Sequence, residues 1–318
     1  MAAPSDLNEI YLSSSPHFSA KSSTAGIMLC VIIALLPLCV CGVVLFGVPA
    51  LITIFVSVTS CVVFEWLFQR LTKQVVRVGD LSAIVTGIML ALVLPPSIPI
   101  WMTMLGSLFA IVVAKGFFGG IGANVFNPAL TGRAFLFVSF PVAMSSWTVP
   151  LDGVSGATVL SEIKTGVFFA DPDMYLQFFL GNRAGCIGET SVLLVLVAFV
   201  VLLAIRVIDW RAPVAMVAVC ALCTWISGGD PIMSILSGGL MFGAVFMATD
   251  YATTPVTKYG RLVFGAGCGL ITFLIRKFGG YPEGVMFSIL IMNVLTPFLN
   301  KLVPAKYGYK KSNGGSAK

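Results

Sequence analysis

Ten apolar runs, at about 25–46, 48–68, 81–95, 99–115, 129–146, 190–206, 212–227, 231–249, 262–275 and 284–302, fill most of this 318-residue chain, and nearly all its charge lies between them. A helix needs roughly 20 apolar residues to cross a bilayer core of about 30 Å. The runs are continuous and do not alternate polar with apolar residues, so they predict helices, not barrel strands. With 58% hydrophobic and 10% charged residues and a mean hydropathy of +1.01, the chain is excluded from the ordinary soluble class. The expected fold class is an all-α polytopic membrane protein of about ten transmembrane helices, with lipid around it. Some runs are shorter than a crossing and are bounded by Pro95-Pro96, Pro99, Gly228-Gly229 or Gly279-Gly280. Broken apolar segments are tolerated in a membrane chain where they line a cavity.

The net charge of +6 does not indicate nucleic acid, because the basic residues are scattered through short loops. That scatter reads as a topology signal. Placing both termini in the cytoplasm puts Arg70, Lys73, Arg77, Lys115, Arg206, Arg211, Lys258 and Arg261 on that side, and Arg133 with them. Lys164, Arg183, Arg276 and Lys277 then fall outside, along with the acidic stretch 147–189. Residues 1–23 are polar, with no basic region leading into an apolar one, so no cleaved signal peptide is expected. The implied organisation is a cytoplasmic segment 1–23, a membrane repeat 24–146, an extracytoplasmic loop 147–189, a second repeat 190–303 and a cytoplasmic tail 304–318. Gly79-Asp80 with Ile84–Gly87 recurs as Gly229-Asp230 with Ile235–Gly238, and Lys115–Gly120 is echoed by Lys277–Gly280. An odd number of spans per repeat inverts the second half, so two inverted five-helix repeats are expected.

The loop 147–189 contains Asp152-Gly-Val-Ser155-Gly156-Ala157-Thr158, spelling D-x-x-S-G-A-T. Small residues here minimise obstruction around a threonine hydroxyl and permit unusual backbone angles. Taken alone, Ser155 could equally cap a short helix. A second stretch runs from Val113 through a glycine-rich loop to Asn124-Val-Phe-Asn127-Pro128-Ala-Leu-Thr-Gly-Arg133-Ala-Phe. It is too polar to cross lipid as a helix and too apolar for a free tail, so it is expected to dip into the membrane. Its two asparagine amides suit a ring edge that offers donors and acceptors, or else they tie down the loop and cap the helix at Pro128. A third stretch is Met247-Ala-Thr249-Asp250-Tyr-Ala-Thr-Thr254-Pro.

These three blocks, together with Ser13-Ser-Ser15-Pro16-His17, resemble one family of membrane proteins. It comprises NqrB of the Na⁺-pumping NADH:quinone oxidoreductase and RnfD of the Rnf complex. The resemblance spans about Ser13 to Lys306, and the S-P-H opening is similar to the Rnf member. It implies FMN attached to Thr158 through a phosphoester, with Asp152, Ser155, Gly156 and Ala157 forming the attachment motif on the extracytoplasmic side. It further implies riboflavin beside Asn124 and Asn127, and residence in the bacterial cytoplasmic (inner) membrane. The implied partners are the other Rnf subunits, RnfA, RnfB, RnfC, RnfE and above all the flavin-carrying RnfG, and a flavin transferase.

Within the chain there is no G-x-G-x-x-G in a βαβ setting and no cysteine frame for an iron–sulfur cluster. Ferredoxin and NAD⁺ are therefore expected on partner subunits, leaving this one to relay electrons in a translocating oxidoreductase. Asp250, Glu65 and Asp80 are candidates for an ion path. Against this, Asp250 could end a helix, Asp80 and Asp230 could cap one, and Glu65 could snorkel toward Arg70. Cys186 is the one cysteine expected to be exposed, whereas Cys220-Ala-Leu-Cys223 lies in an apolar run without His or acidic neighbours. A non-redox channel or transporter, and the quinone-reducing homologue, are the rival readings.

Overall fold

The structure is a computed structural model that describes residues 23–148, 155–156, 172–181, 183–281 and 283–301. Ser23 starts α1 (Thr24–Phe46) by accepting a hydrogen bond from the Gly26 amide at 3.1 Å. At Gly47, φ +72°, the chain turns directly into α2 (Val48–Leu71). Next come α3 (Ser82–Leu92), α4 (Ile100–Leu108), which widens into a π turn over Phe109–Gly116, and α5 (Pro128–Ser139). Beyond a single turn at Pro141–Met144, β1 (Trp147–Thr148) pairs antiparallel with β2 (Ser155–Gly156).

The second half holds α6 (Pro172–Leu180), α7 (Val192–Ala204), α8 (Arg211–Ile226), α9 (Pro231–Leu236) and α10 (Leu240–Phe242). A π turn over Gly243–Met247 extends α10, and α11 (Lys258–Phe278) and α12 (Val285–Leu299) complete the described chain. Apart from the two-residue strands, the described residues are helices and their connections, as expected. The run 231–249 is broken at Ser237–Gly239, between α9 and α10. Ser155 and Gly156 lie in extended backbone on β2, paired with Thr148 and Trp147, and the residues that follow them are outside the described part of the chain.

Three helices are long and apolar enough to cross a bilayer: α1, α2 and α11. Among the shorter ones, α3 sits inside. Eleven residues of helix rise only about 16 Å, and ten of the residues in α3 are buried. Leu90, Leu92, Leu130, Leu136, Phe242 and Phe264 are fully enclosed. The outward faces are apolar as well, with Val44, Phe55 and Phe298 each more than 60% exposed. Such a surface is stable against lipid and would aggregate in water.

Close contact between helices depends on glycine. A Cβ on Gly265 would stand 2.2 Å from the Ala212 carbonyl oxygen, and one on Gly269 would stand 2.4 Å from that of Met216. This G-x-x-x-G pair sets α11 against the backbone of α8. Gly265→Ala should lower stability by about 1–3 kcal/mol or more, read as the thermal unfolding of the detergent-solubilised chain. Gly280→Ala, where a Cβ would meet nothing within 4 Å, should leave the unfolding temperature nearly unchanged. Equal effects would refute the packing argument.

Candidate functional site

A cavity of about 540 Å³ opens between the start of α1, α3, the glycine-rich turn, the start of α5 and the segment 250–256. The turn folds back through Gly119, Gly120 and Gly122, all at positive φ, where other residues would be strained. Asn127 caps α5, its Oδ1 accepting from the Ala129 and Leu130 amides at 3.1 and 3.3 Å. Asn124 donates from Nδ2 to the Phe126 carbonyl at 3.0 Å. Both asparagines line the cavity. Asn124 Oδ1 and Asn127 Nδ2 remain uncommitted to protein among the described residues. Turned to satisfy both neighbours, Asn293 of α12 accepts from the Asn127 amide at 3.2 Å and donates to the Ile289 carbonyl at 3.3 Å.

One wall of the cavity is charged. Lys115 donates to Glu65 Oε1 and Oε2 at 2.7 and 2.8 Å and to Ser82 Oγ at 2.6 Å. Ser82 in turn donates to Asp80 Oδ1 at 2.5 Å, while its amide reaches the same oxygen at 2.9 Å. Asp80, one residue before the N-cap Leu81, thus covers the first amide of α3, whereas Asp230 is itself the N-cap of α9 and accepts from the Ile232 and Met233 amides. Glu65 does not snorkel toward Arg70. It is buried and paired with Lys115, because an uncompensated carboxylate inside the bundle would be far costlier than a paired one. Asp250 also lines the cavity. Burial pushes its carboxyl above the usual range, against hydrogen bonds from the Thr253 hydroxyl and the Ala252 and Tyr251 amides.

The sequence did not reveal a second polar centre. Arg133 is buried and donates to Glu189 Oε1 at 3.3 Å, Glu283 Oε2 at 3.2 Å and Cys186 Sγ at 3.4 Å. Glu283 Oε1 accepts from the Gly239 amide at 3.0 Å. Arg183 donates to the carbonyls of Glu189 and Gly238, and Arg276 to those of Ser234 and Ser237 at 2.7 and 3.2 Å. Two expectations are corrected here. Arg133, expected on the cytoplasmic side, is instead buried within the bundle, where two carboxylates in reach hold its guanidinium by charge-assisted hydrogen bonds. Cys186 is fully buried, its thiol donating to the Val93 carbonyl at 3.1 Å. The residues that flag this centre, Glu189 and Glu283, are isolated acids in Gly-Glu-Thr and Pro-Glu-Gly, without a motif of their own.

Thr158, Asp152 and Ala157 lie outside the described residues, as does His17, and only the backbone of Ser155 and Gly156 is described. Helices with lipid-compatible faces around buried polar centres define a multi-pass membrane protein. The chain belongs to the NQR2, RnfD, RnfE family, whose model matches residues 11–308. It is 47% identical over 313 residues to the D subunit of the Na(+)-translocating ferredoxin:NAD(+) oxidoreductase complex of Acetobacterium woodii, covering 96% of this chain and 98% of that one. The D subunit of the proton-translocating ferredoxin:NAD(+) oxidoreductase complex of Clostridium ljungdahlii is 41% identical, with 96% and 98% covered. The D subunit of the ion-translocating oxidoreductase complex of Stutzerimonas stutzeri is 38% identical, with 91% and 93% covered.

Removing Arg133 strands the buried carboxylate of Glu189 and the half-buried one of Glu283. Arg133→Met should therefore cost about 3–5 kcal/mol, measured as a drop in unfolding temperature. The triple change Arg133→Met, Glu189→Gln, Glu283→Gln should recover part of that loss. No recovery would show that the charges are not what hold these elements together.

Proposed function

We propose that this chain is the membrane electron-carrying subunit of an Rnf-type ferredoxin:NAD⁺ oxidoreductase complex. Electrons would pass through FMN joined to Thr158 and through a second flavin in the cavity beside Asn124 and Asn127. The observation that carries the reading is the D-x-x-S-G-A-T motif at Asp152–Thr158, on a chain whose relatives are named as the D subunits of such complexes. Its partners would be RnfA, RnfB, RnfC, RnfE and RnfG and the transferase that attaches FMN.

The cavity residues suit a flavin. Its volume falls in the range of about 300–1,000 Å³ typical of cofactor sites. Val85, Met89 and Ile121 give apolar walls for a flat ring, and Asn124 Oδ1 and Asn127 Nδ2 offer an acceptor and a donor to its pyrimidine edge. A bound flavin supplies one- or two-electron chemistry that no side chain can. The protein orients the ring, excludes water and sets a cation, Lys115, in the same wall.

Two sets of contacts support ten alternating segments in inverted repeats. Residues expected in the cytoplasm meet one another, as Arg261 meets Asp209 and Val256 meets Asn300, while residues expected outside do likewise, as Tyr175 meets Asp230. In each half, a cation near the end of the fourth segment reaches the third: Lys115 to Ser82 and Arg276 to Ser234. Ion movement would be coupled if the flavin redox states favour different helix arrangements, with Glu65, Asp80 and Asp250 along the path.

Chain made in cells that contain the transferase should run as a fluorescent band in a denaturing gel, and Thr158→Ala should abolish the band. A Thr158 peptide of unmodified mass would sink the redox reading in favour of a pore. Asn127→Asp keeps the helix cap but replaces a donor with an acceptor. It should weaken the non-covalent flavin by about tenfold and leave the band intact. Undiminished release of that flavin on denaturation would place it elsewhere.

A further inference from the structure

A second cavity, of about 380 Å³, lies where the connection between α7 and α8 meets the start of α11. Arg206, Arg211 and Arg261 line it together with Asp209 and Trp210. Asp209 organises two of the three guanidinium groups, accepting from Arg211 Nη1 and Arg261 Nη1 at 2.7 Å each. Burial alone would raise its carboxyl. Bonds from the Arg211 amide and from the Arg261 and Arg211 side chains outweigh this and hold it below the ordinary range. One carboxylate thus fixes two guanidiniums while leaving most of their N–H groups free, since each carries five. Arg261 spends one more, Nε, on the Pro255 carbonyl at 2.9 Å.

Arg206 is different. It is exposed and makes no side-chain hydrogen bond or ion pair among the described residues. Its φ of +61° closes α7 in the left-handed conformation that glycine adopts without strain. A long cation at a position better suited to glycine, aimed into a cavity with two other guanidiniums, points to an anionic ligand.

The surroundings identify the ligand. Trp210, Tyr251 and Val256 line the cavity and are exposed, at 47%, 51% and 74%. Indole and phenol rings beside apolar side chains mark the level of lipid headgroups. Basic pockets at that level take lipid phosphates. We infer that Arg206, Arg211 and Arg261 form a binding site for the phosphate of an anionic glycerophospholipid, whose acyl chains lie along the exposed apolar face of α7 and α11. The site goes beyond the electron-carrying role and does not depend on it.

Arg206→Gly is the discriminating variant, because it removes the charge and relieves the backbone. The full chain, purified in mild detergent and stripped of lipid, is titrated with phosphatidylglycerol, phosphatidylcholine or inorganic phosphate. Bound lipid is read by native mass spectrometry and stability by thermal unfolding. We expect one tightly held phosphatidylglycerol per chain, at least tenfold tighter than phosphatidylcholine, and a loss of about tenfold in Arg206→Gly. Without lipid, that variant should unfold at the same temperature as the parent or higher. Equal binding of the two lipids, or unchanged phosphatidylglycerol binding in Arg206→Gly, would overturn the assignment. Displacement of phosphatidylglycerol by millimolar inorganic phosphate would overturn it in favour of a soluble phosphate ligand. Gel fluorescence of the same samples reports the flavin separately.

Discussion

The bundle depends on one buried guanidinium. Arg133, in the middle of α5, holds Glu189 from the approach to α7 and Glu283 from the approach to α12. Three stretches of chain separated by more than fifty residues are thereby tied at one point. Five charges gather there, three arginines and two glutamates, so the centre keeps an excess of one positive charge. Arg133 Nε, Arg183 Nη1 and Arg276 Nε find no hydrogen-bond partner among the described residues. An ion network of this kind is a weak source of net stability but a strong source of specificity, because any other register would leave charges unpaired in an apolar interior. It determines which helices meet, and the leucines and glycines then determine how closely.

Glycine closeness and helix shortness are two sides of the same arrangement. A short helix such as α3 cannot span the bilayer, so its ends must find partners within the protein. Its N-terminus is met by Asp80. At its other end the Leu92 and Leu94 carbonyls accept from the Gly188 and Ile187 amides at 2.7 and 3.3 Å. Midway, Ser57 donates to the Gly87 carbonyl at 2.8 Å, where a Cβ on Gly87 would stand 2.7 Å from the Val58 Cα. The result is an irregular interior with room for a cavity, which ten unbroken spans would have closed.

The local signals in the sequence were legible because they act over a few residues. Apolar runs located most of the helices within a few residues of their observed ends, though not α6 and not the break between α9 and α10, and Asp230 and Asn127 each sat where an N-cap belongs. Contacts across the fold were not legible. Nothing near Glu65 in the chain announces Lys115, fifty positions later. The charge-counting rule assigned Arg133 to the cytoplasmic side because it counts residues near span ends and cannot tell a buried cation from an interfacial one. Cys186 sits among polar neighbours that turn inward to serve the ion centre, so loop composition misreported its exposure. The segment that bears Thr158 carried the most specific motif and lies outside the described residues.

Asp250, Tyr251 and Val256 border both cavities. The segment they belong to is anchored from several directions. Tyr251 donates to the Val207 carbonyl, Thr296 to that of Thr253 at 2.8 Å, and Arg261 to that of Pro255 at 2.9 Å, while Asn300 accepts from the Val256 amide at 2.8 Å. A wall pinned at four points moves as a unit or not at all. Arg261 itself is shared, because it anchors this wall and also pairs with Asp209 at the rim of the second cavity. Occupancy of the arginine-lined cavity would therefore bear on the amide-lined one through a rigid element, with no change needed in the helices between them.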